Sequence, residues 1–141
     1  WNESANAGFS QTKPWLPVPP SYKTHNVGDE LKDPNSVLQF YRHVLGLRHQ
    51  NRALLDGDYV ALNENDPNVI SYLRRYKDQA VLVAINMSGS EQKVSFDLQP
   101  QGFASAKATT LVSTDSSQPQ DVTVSQMTLK PFQVYVGAVS K

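Results

Sequence analysis

The chain has 141 residues and a mass of 15.7 kDa, and its thirteen basic and thirteen acidic side chains cancel to a formal net charge of zero. Neither sign of charge forms a long run, so no broad basic surface is available for nucleic acid or for a membrane surface, and we expect neither partner. The sequence contains no cysteine. Disulfides, thiolate metal sites and cysteine nucleophiles are therefore excluded, whereas the cellular compartment stays open.

The first third of the sequence is rich in proline and aromatic residues. Four of the nine prolines lie between residues 14 and 20. Each fixes φ and removes a backbone donor, so residues 13–20 are predicted to form an extended, irregular loop. Trp15, Leu16 and Tyr22 are too apolar for a freely solvated linker, which predicts that the loop packs on another surface. Because the chain starts with Trp1 rather than Met, we expect it to be part of a longer polypeptide.

A helix is predicted to follow and to end at about Asn51. Two starts fit the sequence: Asp33 as the cap with Pro34 in the first helical position, or Ser36 as the cap. Apolar residues recur at spacings of three and four, which is typical of one buried helix face. This apolar stripe consists of Val37, Leu38, Tyr41, Val44 and Leu45.

After Leu54 the apolar spacing changes to two and turn residues recur about every ten positions, which predicts a mainly β fold, an antiparallel β-sandwich. Ala80–Ile85 is predicted to be the central strand, covered on both faces. It is also the longest apolar run, far short of the roughly 20 residues of a membrane-spanning helix. The predicted strands are Tyr59–Leu62, Val69–Tyr76, Ala80–Asn86, Lys93–Leu98, Ala108–Val112, Asp121–Val124 and Phe132–Val139.

The titratable side chains form no recognisable catalytic or metal site. His43 and His49 are six residues apart on the predicted helix, about 600° around its axis and so on different faces, and zinc-ligand spacings are missing. Asp56 and Asp58 flank Gly57, which fits a turn better than the carboxylate pair of a glycosidase. Residues 63–66 are interpreted as a hairpin turn. We therefore predict no catalytic residue, metal or cofactor in this chain.

The aromatic residues of the first third are the one set that indicates binding. Trp1, Phe9, Trp15 and Tyr22 all lie in or beside the proline-rich stretch. Exposed aromatic rings stack on the apolar faces of sugars, but they also anchor loops to neighbouring domains. Both interpretations predict a partner surface beside residues 1–30.

Several motifs in this region resemble a known family. They are W-N-E-S-A-N-A-G-F-S at residues 1–10, K-P-W-L-P-V at 13–18, Asn26-Val27, and D-P-N-S-V-L at 33–38. Together they resemble the segment after the last barrel strand, and the last barrel helix, of bacterial-type α-glucosidases of the α-amylase superfamily. Oligo-1,6-glucosidases, trehalose synthases and sucrose isomerases share much of this pattern. The resemblance covers the first 60 residues and is generic beyond Tyr72.

The resemblance implies a retaining glycosidase on a (β/α)₈ barrel, with an Asp nucleophile, a Glu acid/base and a second Asp that stabilises the transition state. No residue of this chain matches those motifs. Residues 1–51 would form the end of the barrel and residues 52–141 the C-terminal β-sandwich domain. Trp1, Asn6 and Phe9 would shape the rim of the sugar pocket. Asn2 departs from the family, where many members have Asp.

The leading hypothesis is a C-terminal part of a retaining α-glucosidase that acts on small oligosaccharides. The chain would complete and stabilise the upstream catalytic barrel of the same gene product, its expected partner, and would meet the oligosaccharide substrate through that enzyme. One alternative is a stand-alone carbohydrate-binding module that uses Trp1, Trp15 and Tyr22, and another is a structural sandwich that binds protein. Within the family, a sucrose isomerase or a trehalose synthase fits equally well.

Overall fold

A computed structural model describes residues 1–103 and 107–140 of the chain. Residues 104–106 and 141, which fall in the predicted domain 52–141, lie outside the described residues. The described part forms two compact units, Trp1–Leu47 and the residues from Arg48 onward. The units divide slightly before the predicted domain boundary at residue 51, and that boundary stays a prediction.

The first unit consists of short helical segments joined by irregular chain. It has 3-10 turns at Ala5–Gly8 and Pro20–Lys23, the short helix α1 at Val27–Glu30 and most of the helix α2, Val37–Gln50. Residues 13–19 contain neither helix nor strand, which confirms the predicted irregular loop. The buried residues of the unit are Ala7, Asn26 and Ser36. Because two of these are polar, the unit has no hydrophobic core of its own.

Helix α2 begins at the second of the two predicted starts. The Ser36 hydroxyl accepts a hydrogen bond from the Gln39 amide at 3.2 Å, as expected of an N-cap. The Glu30 carboxylate accepts from the Leu38 amide at 3.1 Å and satisfies a second free donor of the first turn. Asp33 instead accepts from the amide of Asn35, inside the preceding turn. Pro34 therefore lies before the helix.

The apolar stripe of α2 is present but is not covered. No residue of the helix is buried. Tyr41 is 61% exposed and Leu45 is 53% exposed, whereas Gln39, Arg42 and His43 lie on the other side of the helix. The apolar stripe of α2 is thus largely in contact with solvent.

The second unit contains a third helix and two antiparallel sheets. The strands are β1 Asp58–Leu62, β2 Val69–Tyr76, β3 Gln79–Asn86, β4 Gln92–Val94, β5 Lys107–Ser113, β6 Asp121–Thr123, β7 Met127–Leu129 and β8 Val134–Val139. Six of them form one sheet in the order β1-β2-β3-β8-β5-β6, and β4 pairs with β7 in a second sheet. The sandwich is confirmed, and so is the central position of β3, whose residues 80–84 are all buried.

The hydrophobic core lies between the two sheets. Alternate residues of the large sheet point into it, and Leu73, Leu82 and Tyr135 are fully buried there. The second sheet and its flanking segments contribute Phe96 and Leu129. This arrangement follows from the period of two in the sequence, because each strand has one apolar face to cover.

Two strand predictions were partly wrong, and one strand was missed. Strand β8 begins at Val134 rather than at the predicted Phe132, because Phe132 lies in the preceding turn. The predicted strand Lys93–Leu98 is paired only over Gln92–Val94, although Phe96 and Leu98 are buried as the alternation predicts. Their burial satisfies the hydrophobic pattern, while beyond Val94 the pairing continues only as the hydrogen bond from the Phe96 amide to the Val124 carbonyl at 3.0 Å. Strand β7 was not predicted, since three residues are too few to show an alternation.

Helix α3, Arg52–Asp56, was also not predicted, and it lies on the opposite face of the large sheet. The Asn51 side chain caps it by accepting from the Leu54 amide at 3.2 Å. Ala53 is fully buried against Val81 and Val83. At Gly57 the chain passes so close to β2 that a Cβ would lie 2.8 Å from a backbone carbonyl oxygen. Glycine is required there for close approach rather than for its backbone angles.

A close contact inside β8 explains a second glycine. The ring of Tyr135 lies along its own strand and fills the space above Gly137. Its hydroxyl donates to the carbonyl of Ala108 in β5 at 3.5 Å, and burial raises the pKa of this hydroxyl above its usual value. A methyl group at residue 137 would therefore overlap the Tyr135 ring in its present position.

The variant Gly137→Ala should therefore lose about 1–3 kcal/mol of unfolding free energy, the usual cost of overpacking a core. The added Cβ would overlap the Tyr135 hydroxyl oxygen. Urea unfolding followed by circular dichroism measures the loss. Gly89→Ala is the matched control, since its Cβ would meet only the Phe132 ring at an ordinary 3.7 Å. Equal stability of the two variants would contradict the packing of Tyr135.

An ion pair fastens the loop between β5 and β6 to the end of β7. The Lys130 ammonium donates to Asp115 at 2.9 Å and to the Ser117 hydroxyl at 2.9 Å. Beneath it the buried Gln133 side chain donates to the hydroxyl of Ser113 and to the amide oxygen of Gln118. The hydrogen bonds from Lys130 and then from Ser117 lower the pKa of Asp115 from 3.8 to about 2.

We expect the second unit to lose stability as the pH falls from about 4 to about 2. Asp115 has a lower pKa in the folded chain than its unfolded value of 3.8, so it stabilises the fold above pH 3.8, and this contribution disappears as the pH falls through about 2. Urea unfolding at successive pH values measures it. Asp115→Asn should flatten this part of the curve, whereas Asp78→Asn in an exposed turn should not.

Candidate functional site in the amino-terminal loop

The loop at residues 1–10 has an unusual backbone. Asn6, Ala7 and Gly8 follow one another with φ values of 57°, 57° and 76°. Asn and Gly tolerate this left-handed region, but Ala does so at a cost of roughly 1–2 kcal/mol. Ala7 is nevertheless fully buried. A strained conformation held by its surroundings is common at functional sites.

Side-chain hydrogen bonds hold this loop in shape. The Asn6 amide nitrogen donates to the carbonyl of Ser10 at 3.0 Å and to that of Thr12 at 3.2 Å. Asn2 accepts from both the amide and the hydroxyl of Ser4. A carboxylate accepts the same two bonds, so the departure from the Asp of the family leaves the turn intact.

The aromatic residues at the two ends of the loop stack on each other. The rings of Trp1 and Phe9 have centroids 5.8 Å apart and an angle of 27° between their planes. Both remain accessible, with 48% of Trp1 and 70% of Phe9 exposed. Asn6 and Phe9 line a surface depression of about 630 Å³. Trp1 and Phe9 are thus in contact, Asn6 and Phe9 line the same depression, and the role of the three residues at a pocket rim stays a prediction.

A neighbouring segment anchors the start of the loop. The Gly28 amide donates to the carbonyl of Trp1 at 3.1 Å. Two residues earlier the buried Asn26 side chain caps α1 by accepting from the amide of Asp29, and it donates to the Asp29 carboxylate and to the Tyr22 carbonyl. The hydrogen bond from Asn26, followed by that from Lys32, lowers the pKa of Asp29. This cap is not predicted from the sequence, where Asn26 belongs only to a family motif.

The remaining candidates of the sequence are Asp56, Asp58 and the three histidines. The predicted turn is reduced to Gly57, because Asp56 is the last residue of α3, where it pairs with Arg52 at 2.8 Å, and Asp58 is the first residue of β1. The three histidines are all exposed. Over residues 1–103 and 107–140, no group of three or more histidine, aspartate or glutamate side chains lies close enough to hold a metal ion. Within the same residues no helix has the length and apolar character to cross a membrane.

The aromatic set of the stand-alone binding alternative is not assembled in one place. In the first unit, Trp1 stacks on Phe9 rather than on Trp15 or Tyr22, as far as the described residues show. Trp15 is 91% exposed, and Tyr22 is partly buried. The structure therefore favours the loop of Trp1 and Phe9 over a row of three aromatic residues.

Comparison with known proteins divides the sequence at residue 58. Residues 1–57 match the family described as alpha amylase, catalytic domain, and residues 59–136 match the family described as maltogenic amylase, C-terminal domain. An oligo-1,6-glucosidase of Halalkalibacterium halodurans is 32% identical over 139 residues, which cover 97% of this chain and 24% of that protein. The chain thus spans about a quarter of the length of the curated relatives that it matches.

Solved structures of related enzymes have the same fold. A trehalose-6-phosphate hydrolase of Bacillus licheniformis matches with a TM-score of 0.81 and 32% identity, over 100% of this chain and 25% of that protein. An isomaltulose synthase mutant of Erwinia rhapontici, in complex with D-glucose, matches with a TM-score of 0.81 and 27% identity, over 100% of this chain and 24% of that protein.

The role of Asn6 can be tested in this chain. Asn6→Ala removes two side-chain hydrogen bonds and places alanine at a left-handed φ, so the loop should lose roughly 1–2 kcal/mol of local stability. The amide of Phe9, which donates to the Asn6 carbonyl at 3.1 Å, should then exchange with solvent about tenfold faster. Hydrogen exchange by NMR measures this rate. The exposed Gln11→Ala should leave it unchanged, and equal rates in both variants would contradict the role of Asn6.

Proposed function

The chain belongs to the α-amylase family, and from this membership we propose that it is the C-terminal part of an α-glucosidase that cleaves α-glucosidic bonds in small oligosaccharides. The carboxylates of the reaction would lie on a preceding catalytic barrel. Residues 1–51 would complete that barrel, and residues 52–141 would form the β-sandwich domain that follows it. The reaction would proceed with retention at the anomeric carbon, as the family resemblance implies.

The observation that carries this proposal is the contrast between the two units. The second unit has a closed hydrophobic core, whereas the first has three buried residues and an uncovered apolar helix face. Burial of one Leu side chain is worth about 1.5–3 kcal/mol, so a helix with this surface gains most of its stability from a partner. A catalytic barrel that packs on α2 supplies that partner.

In this enzyme the loop of residues 1–10 would form part of the rim of the sugar pocket. The exposed ring of Phe9 offers an apolar face on which a sugar ring can stack, and Trp1 supports it from the other side. Asn6 would act as a positioning residue, because its amide nitrogen is engaged with two carbonyls of the loop. Removal of Phe9 would then weaken substrate binding more than it changes the chemical step.

A sucrose isomerase is the second candidate within the family. The isomaltulose synthase structure covers this chain as completely as the hydrolase structure does. The two reactions differ in what receives the glucosyl group, which is water in a hydrolase and the released fructose in an isomerase. The residues that make this choice would lie on the preceding barrel.

The proposed activity can be tested on the polypeptide that carries this sequence in the cell. An antibody against the 141-residue chain should capture a polypeptide about four times as long, in line with the relatives. The captured protein should hydrolyse isomaltose, and NMR should show the α-anomer of glucose as the first product. Isomaltulose formed from sucrose would favour the second candidate. Absence of activity on both sugars would contradict the proposal.

The proposed contact between α2 and the barrel predicts a difference between the whole enzyme and this chain. Leu45→Glu should destabilise the whole enzyme by about 3 kcal/mol or more, because it buries a charge and removes an apolar contact. In the 141-residue chain the same change should be nearly neutral, since Leu45 is 53% exposed. Thermal unfolding measures both effects.

Arg42→Glu is the control for this comparison, because residue 42 is exposed on the polar side of α2. It should change the stability of either protein by no more than about 0.5 kcal/mol. A whole enzyme that tolerates Leu45→Glu as well as Arg42→Glu would show that α2 does not pack on the barrel.

A further inference from the structure

A strained and exposed phenylalanine marks one end of the β-sandwich. Residues Lys130–Gln133 form a β-turn in which the Gln133 amide donates to the Lys130 carbonyl at 3.1 Å. Phe132 is the third residue of this turn and has a φ of 56°. Pro131 fixes the second residue at negative φ, and turns of this kind usually have Gly or Asn in third place. A phenylalanine therefore does not stabilise the backbone conformation of this turn.

Burial of the ring does not explain the phenylalanine either. Phe132 is 67% exposed, and its ring touches the neighbouring turn at Gly89, where a Cβ would lie 3.7 Å from the ring edge. A residue that strains the backbone and buries little of its side chain is better explained by binding than by stability.

Hydrogen bonds join the two turns that lie beside this ring. The buried Asn86 side chain donates to the carbonyl of Ser90 at 2.7 Å and to that of Lys130 at 2.8 Å, and it accepts from the amide of Ser88. The Phe132 amide donates to the Ser88 carbonyl at 3.1 Å. Asn86 thus ties the two turns together and holds the backbone that carries Phe132.

We propose that Phe132 is a stacking platform for one glucose ring of an α-linked oligosaccharide. A pyranose has an apolar C–H face that matches one aromatic ring, and its hydroxyl groups point outward to water or to exposed polar groups such as Ser90. The choice of sugar rests on the proposed function. The site belongs to the second unit and is additional to the loop of residues 1–10.

Other occupants fit this surface less well. The exposed apolar side chains on these turns are Phe132 and Met87. Two side chains bury far less area than the roughly 800 Å² that each partner buries in a stable protein interface. A nucleotide would also stack on the ring, but the nearby Lys130 ammonium is already paired with Asp115 and Ser117, so a phosphate would lack a free cation.

NMR titration of the ¹⁵N-labelled 141-residue chain with isomaltotriose tests the proposal. Saturable shifts are expected at Phe132 and at residues 88–90, with a dissociation constant on the order of millimolar, as suits a single stacked ring. Sorbitol is the control ligand, because it carries similar hydroxyl groups and has no ring face. It should cause no saturable shift at these residues.

Variants of Phe132 separate binding from folding. Phe132→Gly should weaken isomaltotriose binding by at least about tenfold while the melting temperature stays equal or rises, because glycine suits the left-handed position. Phe132→Asn should behave in the same way, and Phe132→Tyr should keep the binding.

Four results would overturn the proposal. They are a titration without saturable shifts at these turns, equal shifts with sorbitol, unchanged binding in Phe132→Gly, and a lower melting temperature in both Phe132→Gly and Phe132→Asn. Shifts confined to residues 1–10 count as the first of these. The outcome is independent of the proposed enzyme activity, which is measured on the longer polypeptide with isomaltose and sucrose.

Discussion

The pairing of two apolar sheet faces is the contact on which the fold depends. Tyr135 and Leu82 of the large sheet meet Phe96 and Leu129 from the other layer, and all four side chains are buried. Every other feature of the second unit is built around this core, including the glycine under Tyr135. The first unit has no equivalent contact. Its helix α2 has the apolar surface of a core helix and nothing in its own unit to cover it, so the two parts of one chain differ in the source of their stability.

Much of the fold is predictable from the sequence because burial alternates where strands form. Val69–Tyr76 is predicted with its observed bounds, and the central position of β3 follows from an apolar run without polar interruption. The errors in the predicted elements arise where tertiary contacts, rather than the local spacing of apolar residues, determine the structure. Phe96 is buried without a regular ladder on both sides, since its amide bonds to Val124 alone. Helix α3 depends on Ala53, a small residue whose burial under the sheet leaves no periodic signal in five residues.

The candidate site is predictable to a smaller extent. The family pattern selects Trp1, Asn6 and Phe9, whose role at a pocket rim stays a prediction, but no spacing rule predicts that Ala7 has a left-handed backbone. That conformation depends on hydrogen bonds between Asn6 and residues four and six positions later. The left-handed backbone at Phe132 is not predicted either, because the sequence there indicates the start of a strand. Backbone strain is set by the whole surrounding structure, so a local sequence pattern does not predict it.

The burial of the Asn86 side chain affects which host is suitable for producing the protein. Asn86-Met87-Ser88 is a sequence on which the secretory pathway of eukaryotic cells attaches N-linked glycans. In the folded chain the Asn86 nitrogen is buried and donates to two carbonyls at 2.7 and 2.8 Å, so a glycan on it would separate the turns that it joins. Modification of the emerging chain would therefore compete with folding, and a host that does not glycosylate this sequence is the suitable one for producing the native protein.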